Sequence, residues 1–337
     1  MRRCIKQGSS RELCQLNFDL GYSFANCVNS FLQTRSLPSI EIDAIGSHGQ
    51  TVAHRAPEQE RHGSTLQIAS ISVIAELTGI TTLGHFRERD MVRGGQGAPL
   101  VPLLDWYLCK DQVAFPVALH NLGSISNLSV LSDRIEDTVA FDTGPANQMI
   151  DYFASLIEGE HDGIDRDGTL SAQGVVDQAL LLSWMKHPFL AEKPPKSASF
   201  DDFSPEFMTK LSSQQSSKLG PLDLLRTAVE FCAQSIAEAY RKHVLAAFPT
   251  LKRVYFSGGG VHNQTLMQSI AKALPELEVL TLAEHDKRLT DCKEALAFAL
   301  LADASLSAEL TTICKSTGAS QSVVSGEIAI ATPCDRS

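Results

Sequence analysis

Apolar positions spaced by three and four dominate the start of the chain. Ser9 and Ser10 sit where a helix N-cap belongs, and Leu13, Leu16, Leu20, Phe24, Cys27 and Phe31 then step along one face. That spacing predicts a long amphipathic helix ending before Pro38. Ile42–Ser47 reads as a buried strand running into His48-Gly49-Gln50-Thr51, Thr65–Ile68 as a short strand, Ser70–Leu77 as a helix with Gly79 at its end, and Ile80–Leu83 as another strand. A glycine-rich stretch, Gly94-Gly95-Gln96-Gly97-Ala98-Pro99, precedes a helix expected over 101–109.

A second series begins at Pro116. Val117–Asn121 and Asn127–Leu131 read as strands joined by the tight Leu122-Gly123-Ser124 turn, and Thr138–Asp142 as a third, followed by Thr143-Gly144-Pro145 and a helix over 146–157. After a polar stretch broken by Pro194-Pro195, a long helix carries Leu225, Val229, Cys232, Ile236, Tyr240 and Val244 on one face. Then come a strand over 251–257, three glycines (Gly258, Gly259, Gly260), a helix with Leu266, Met267, Ile270 and Leu274, a strand over 277–282 and an Ala-rich helix around 294–304. The order β-β-β-α, insert and helix, β-α-β-α is that of a ribonuclease-H-like lobe. The fold class expected is therefore α/β, two lobes of the kind shared by sugar kinases, actin and Hsp70, with the first lacking its opening strands. The boundary falls near 115, giving an incomplete N-terminal lobe over 1–115 and a complete one over 116–337.

Each candidate chemical group has a plainer alternative. Gly258–Gly260 let the backbone approach a ligand closely and open onto a helix, where anions bind, but tight strand-to-helix turns also use glycine. Asp142, at a strand end, suits a base in phosphoryl transfer or a cap for the following helix. Asn121-Leu122-Gly123-Ser124 is either a phosphate loop or an ordinary hairpin turn. The loop 94–99 is a ligand-facing segment or a hinge. Arg87 and Arg89 could fork onto an anionic or hydroxyl-rich substrate, or form a surface salt-bridge group with Glu88 and Asp90. His48 has no second ligand at metal spacing and reads as structural. Glu294 is an acid in the first turn of its helix, or a contact to substrate or Mg²⁺.

Bulk composition narrows the classes. The 337 residues are 43% apolar and 20% charged, ordinary for a globular chain with ample core. A net charge of −10 argues against a nucleic-acid partner. The eight cysteines (Cys4, Cys14, Cys27, Cys109, Cys232, Cys292, Cys314, Cys334) contain no CxxC pair, which favours free thiols over a disulfide or zinc framework. No apolar run reaches a membrane span, and Met1–Ser10 has no signal-peptide core, so a cytoplasmic protein is expected.

The segments AIGSHGQTV (44–52), GHFRERD (84–90), GGQGAPLVP (94–102), NLGSISNL (121–128), FDTGPANQMID (141–151), PPKS (194–197), SGGGVHN (257–263), EALAFALLA (294–302) and TGAS (317–320) together resemble the anhydro-N-acetylmuramic acid kinase family, relatives of the levoglucosan kinases. The resemblance implies an ATP- and Mg²⁺-dependent enzyme that adds water across the bridge of a 1,6-anhydrosugar and phosphorylates its 6-oxygen. It makes Asp142 the base that activates water. Arg87 becomes a substrate contact, and Glu294 an acid near sugar and Mg²⁺. Asn121, Gly123, Gly258, Gly259, Gly260 and Asn263 become nucleotide contacts, and a homodimer is suggested. The family's opening Gly-Thr-Ser-x-Asp-Gly loop has no counterpart in Met1–Gly8. His85 stands for an expected Asp, Ala69-Ser70 for Gly-Asp, Ser124 for a second glycine, and Ala198-Ser199-Phe200-Asp201 for Thr-Gly-Arg-Glu. Two readings follow: an anhydrosugar kinase with a shortened start, slow or inactive as it stands with an exposed sheet edge, or a catalytically impaired relative that binds ligands or partners. The sugar itself, muramic-acid-type or levoglucosan-type, stays open at this stage.

Overall fold

A computed structural model describes residues 8–57, 61–159, 162–198, 202–213, 219–282 and 287–332. Ten strands lie among them in chain order: β1 Ile45–Gly46, β2 Gln50–Arg55, β3 Ser64–Ile68, β4 Thr82–Gly84, β5 Val117–Leu122, β6 Ile125–Leu131, β7 Val139–Pro145, β8 Arg253–Ser257, β9 Glu278–Thr281 and β10 Glu327–Ala329.

The chain forms two compact units. One contains Met1–Leu104 and Lys287–Ser337, the other Asp105–Asp286. This differs from the expected division at 115. The segment from Lys287 onward rejoins the first unit because the helix Lys287–Leu306 packs on β1 and because β10 pairs antiparallel with β4. Such long-range pairing has no signature in local periodicity.

In the first unit, Ser9 caps the helix Ser10–Arg35 through a capping box with Glu12, as its position suggested. Its buried stripe begins as expected but drifts. Gly21, Ala25 and Leu32 are buried, whereas Cys27 and Phe31 are exposed. Gly21 faces the next helix, where a Cβ would lie 3.0 Å from that of Val73, so its lack of a side chain permits close helix packing. Ser70 caps that helix, Ile71–Thr78, and Gly79 ends it in the left-handed conformation. β1 pairs parallel with β4, giving the sheet order β1-β4-β10. The segment after Gly49, to which periodicity assigns no element of its own, forms β2, which pairs antiparallel with β3.

The second unit carries a five-stranded sheet in the order β7-β6-β5-β8-β9. β5, β6 and β7 form an antiparallel meander, and β8 and β9 run parallel to β5. This is the ribonuclease-H-like arrangement expected from the order of elements. Alternation along the strands sends Leu122, Leu128, Phe141, Val254 and Phe256 into one layer of the core. They pack with Met149 and Phe153 of the helix Asn147–Ala154 and with Val229 and Ile236 of the helix Pro221–Ala239. Burying each such side chain contributes about 1.5–3 kcal/mol, so this layer anchors the sheet and holds the opposite face in place. A chain of buried polar side chains crosses it, each hydrogen-bonded to the next. His120 Nε2 meets Ser126 Oγ at 2.7 Å, Thr143 Oγ1 reaches the same Oγ at 2.8 Å, and His120 Nδ1 meets the Tyr240 hydroxyl at 3.2 Å.

Candidate functional site

The face of the second sheet opposite that core layer presents a row of polar residues. Asp142 pairs in register with Asn127, Asn127 with Asn121, and Asn121 with Ser257. Residues directly opposite one another across a sheet share a face, so four strands present Asp-Asn-Asn-Ser on one side. Strands lie about 4.8 Å apart, which puts position 142 about 10 Å from position 121 and about 14 Å from position 257. The ladder is regular through this row and breaks just beyond it, between Ser126 and Asn127, where Thr143 is the extra residue.

Asp142 does not cap the helix that follows, because that helix begins at Asn147 with Ala146 at its cap and no side-chain capping bond. The 194–198 segment holds the aspartate instead. Its peptide N–H donates to Lys196 O at 3.0 Å, and its carboxylate Oδ2 accepts from Ala198 N at 2.8 Å. Burial pushes the Asp142 carboxyl up to about 6, opposed by the Ala198 N–H and by the charge of Lys196. Lys196 is itself buried, with Nζ donating to Phe189 O at 2.8 Å and lying 4.3 Å from the centre of that ring. In the sequence Lys196 stands only within the PPKS motif, with no signal of this contact to Asp142. Of the altered 198–201 segment, Ser199, Phe200 and Asp201 lie outside the described residues, as do Met1–Gln7, Cys4 and Cys334. Cys14, Cys27, Cys232, Cys292 and Cys314 are free thiols.

The glycine triplet follows β8 directly. Gly258 has φ +86°, and a Cβ there would lie 2.5 Å from Asn121 Oδ1. At Gly260 it would lie 2.6 Å from Leu122 Cβ. The turn is therefore seated against the end of β5, bringing Asn121 and Gly258–Gly260 together. A 3-10 turn, Gly259–His262, intervenes before the helix Gln264–Ala273. The first amides of such a turn have no partner within it and suit an anion. Gly123 and Ser124 form the β5–β6 hairpin, whose carbonyls accept from Ala146, Asn147 and Gln148 N at 3.0–3.2 Å. The hairpin thus caps the Asn147 helix, and Asn147 Nδ2 returns a bond to Leu122 O at 3.1 Å.

Asn263, expected as a nucleotide contact, has both ends of its amide engaged within the fold. Its Oδ1 accepts from Leu266 N at 2.9 Å, capping the helix, and its Nδ2 donates to the buried Asp165 at 3.0 Å. Both ends of the amide work inside the fold, tying the glycine turn to the 165–168 segment.

A second polar group lies in the first unit. Arg87 donates from Nε and Nη2 to His48 Nε2 at 3.3 and 2.9 Å, and from Nη1 to Gly97 O at 2.7 Å. Gly97 N in turn donates to Asp90 Oδ2 at 2.7 Å, and Thr317 Oγ1 donates to Asp90 Oδ1 at 2.7 Å. Asp90 is fully buried, so the surface salt-bridge alternative fails for both residues. Burial raises the Asp90 carboxyl, and burial lowers both His48 and Arg87. Glu294 is exposed two turns into its helix rather than in its first turn, which removes the helix-dipole explanation. Its charge opposes the loss of the proton from Arg87. One turn on, Phe298 packs against His48 with ring centres 4.7 Å apart. No group of three or more His, Cys, Asp or Glu side chains suited to a metal ion occurs among the described residues.

Against this geometry, the chain matches the family model described as Anhydro-N-acetylmuramic acid kinase over residues 4–331. The chain belongs to the anhydro-N-acetylmuramic acid kinase family. It is 38% identical over 332 residues to the anhydro-N-acetylmuramic acid kinase of Caldanaerobacter subterraneus, covering 96% of this chain and 83% of that one. A counterpart from Bacillus cereus is 37% identical over 330 residues, covering 96% and 85%. Among solved structures, xylulose kinase from Rhodospirillum rubrum has a TM-score of 0.37 at 14% identity, over 69% of this chain and 47% of its own, too distant to carry argument. No described helix is long and apolar enough to cross a membrane.

Proposed function

We propose that this chain is an ATP-dependent kinase of 1,6-anhydro-N-acetylmuramic acid that couples opening of the anhydro bridge to phosphorylation of the 6-oxygen. The observation that carries this reading is the placement of Asp142: the 194–198 segment holds it at both its peptide N–H and its carboxylate, in line with Asn127, Asn121 and Ser257, and burial pushes its carboxyl up to about 6. A carboxylate so placed accepts a proton from water while the water oxygen bonds to C1 of the sugar. The C1–O6 bond breaks, O6 takes the γ-phosphoryl group, and ADP leaves. Water contributes one hydrogen to the new C1 hydroxyl and the other, as a proton, to Asp142.

The nucleotide is assigned to the second unit, with the amides of Gly259 and Gly260 and the polar edge of Asn121 and Gly123 serving its phosphates. Arg87 is assigned to the sugar substrate. Mg²⁺, when bound, would screen the triphosphate charge. An Mg²⁺ bound through substrate phosphates and water keeps few protein ligands, and Glu294 is the protein acid expected nearby. The test is a coupled assay of ADP release with 1,6-anhydro-N-acetylmuramic acid, with levoglucosan and with no sugar. ADP release dependent on the muramic acid sugar supports the reading. Turnover with levoglucosan alone favours the other sugar, and ADP release indifferent to sugar rejects both.

A further inference from the structure

His48 belongs to none of the roles assigned above, yet it has the best-defined geometry in the first unit. Its Nδ1 lies 3.1 Å from Gly49 O, a group that can only accept, so the ring proton sits on Nδ1. Nε2 is then the acceptor for Nε–H and one Nη2–H of Arg87. A third donor of the guanidinium is taken by Gly97 O. Arginine has five N–H groups, so two remain, one on each terminal nitrogen. Arg87 is half-buried, and no carboxylate lies within ion-pair distance of it among the described residues. A desolvated cation held only by neutral acceptors is an incomplete arrangement that an anion completes.

We propose that His48 is a positioning residue: as a neutral imidazole it holds the inner edge of Arg87 and leaves the remaining N–H pair to an oxyanion of the substrates, either the sugar's carboxylate or a nucleotide phosphate. The inference rests on the kinase reading above. Three features keep the ring in this role. Phe298 packs on its face, the Gly49 carbonyl fixes its tautomer, and the adjacent guanidinium disfavours protonation. Glu294, though close enough to influence Arg87, forms no ion pair with it and leaves those N–H groups open to an oxyanion.

The test is equilibrium binding by calorimetry to the full chain, with three probes: 1,6-anhydro-N-acetylmuramic acid, 1,6-anhydro-N-acetylglucosamine, which lacks the acid group, and ATP. His48→Leu removes the acceptor, and His48→Gln offers an amide oxygen in its place. If the oxyanion is the sugar's carboxylate, His48→Leu weakens the muramic acid sugar about tenfold or more, leaves the acid-free sugar unchanged, and His48→Gln recovers most of the loss. A loss confined to ATP assigns the oxyanion to a phosphate. Unchanged binding of all three probes overturns the proposal, as do equal losses on both sugars or a His48→Gln variant as weak as His48→Leu. If His48→Leu does not fold, Arg87→Gln decides: retention of the wild-type preference among the probes overturns the idea. Wild-type protein that binds neither sugar but binds ATP refutes the kinase reading instead, and the ATP arm alone then judges His48.

Discussion

Replacing Asp142 with asparagine separates its chemical role from its structural cost. The wild-type carboxyl titrates at about 6 in the folded protein and near 3.8 when free. A folded pKa raised in this way means that stability is greatest below 3.8 and declines as the pH rises through 6. At pH 8 the ionised group therefore costs at most about 3 kcal/mol, at 1.36 kcal/mol per pH unit between the two values, and about 1–3 kcal/mol after allowing for its partial exposure. Asparagine keeps an oxygen to accept from Ala198 N and carries no charge. Asp142→Asn should consequently melt higher than wild type at pH 8, by roughly 2–4 °C per kcal/mol, with the gap closing as the pH falls toward 4. Turnover should drop about 10²–10⁴-fold through loss of the base, and wild-type kcat should decline below about pH 6. Thermal melts at pH 8 and pH 4.5, paired with the coupled kinase assay, measure both. A variant that is no more stable than wild type at pH 8, or that retains more than a tenth of the activity, would refute the reasoning.

Three other outcomes follow from the same geometry. Gly258→Ala places a Cβ 2.5 Å from Asn121 Oδ1 at φ +86°, and should cost about 1–3 kcal/mol in denaturant titration while weakening ATP binding. Lys196→Met removes a positive charge that favours ionised Asp142, so the acid limb of the pH–rate profile should move to higher pH, with activity recovering at pH 9; an unmoved limb would show that the ammonium has no such influence. His120 is held down to about 3 by burial, against 6.5 when free, so its neutral form supports the fold above 6.5 and that support is lost as the pH falls toward 3. By pH 5 the loss should reach about 2 kcal/mol, and a His120→Gln variant should show a shallower acid decline in urea melts.

Much of the second unit was legible because its signals are local. Alternating apolar residues in β5, β6 and β8, the glycines at their ends and the amphipathic 221–239 helix all follow from backbone periodicity and turn chemistry. The same locality explains the Ser9 and Ser70 caps and the left-handed Gly79. β2 was missed because QTVAHR alternates weakly, and its pairing with β3 supplies what its composition does not.

The amino-acid order by itself determined which residues could form strands, helices and tight turns, and its motifs determined the family. Only the tertiary structure decided what those residues do. It took Asp142 away from the helix cap and aligned it with Asn127, Asn121 and Ser257. It turned Asn263 inward, buried Asp90 beneath Gly97, set His48 behind Arg87 and returned the C-terminal helix to the first unit. Most of these depend on contacts between residues tens to hundreds of positions apart, where burial and hydrogen-bond partners are set by packing and leave no trace in local spacing.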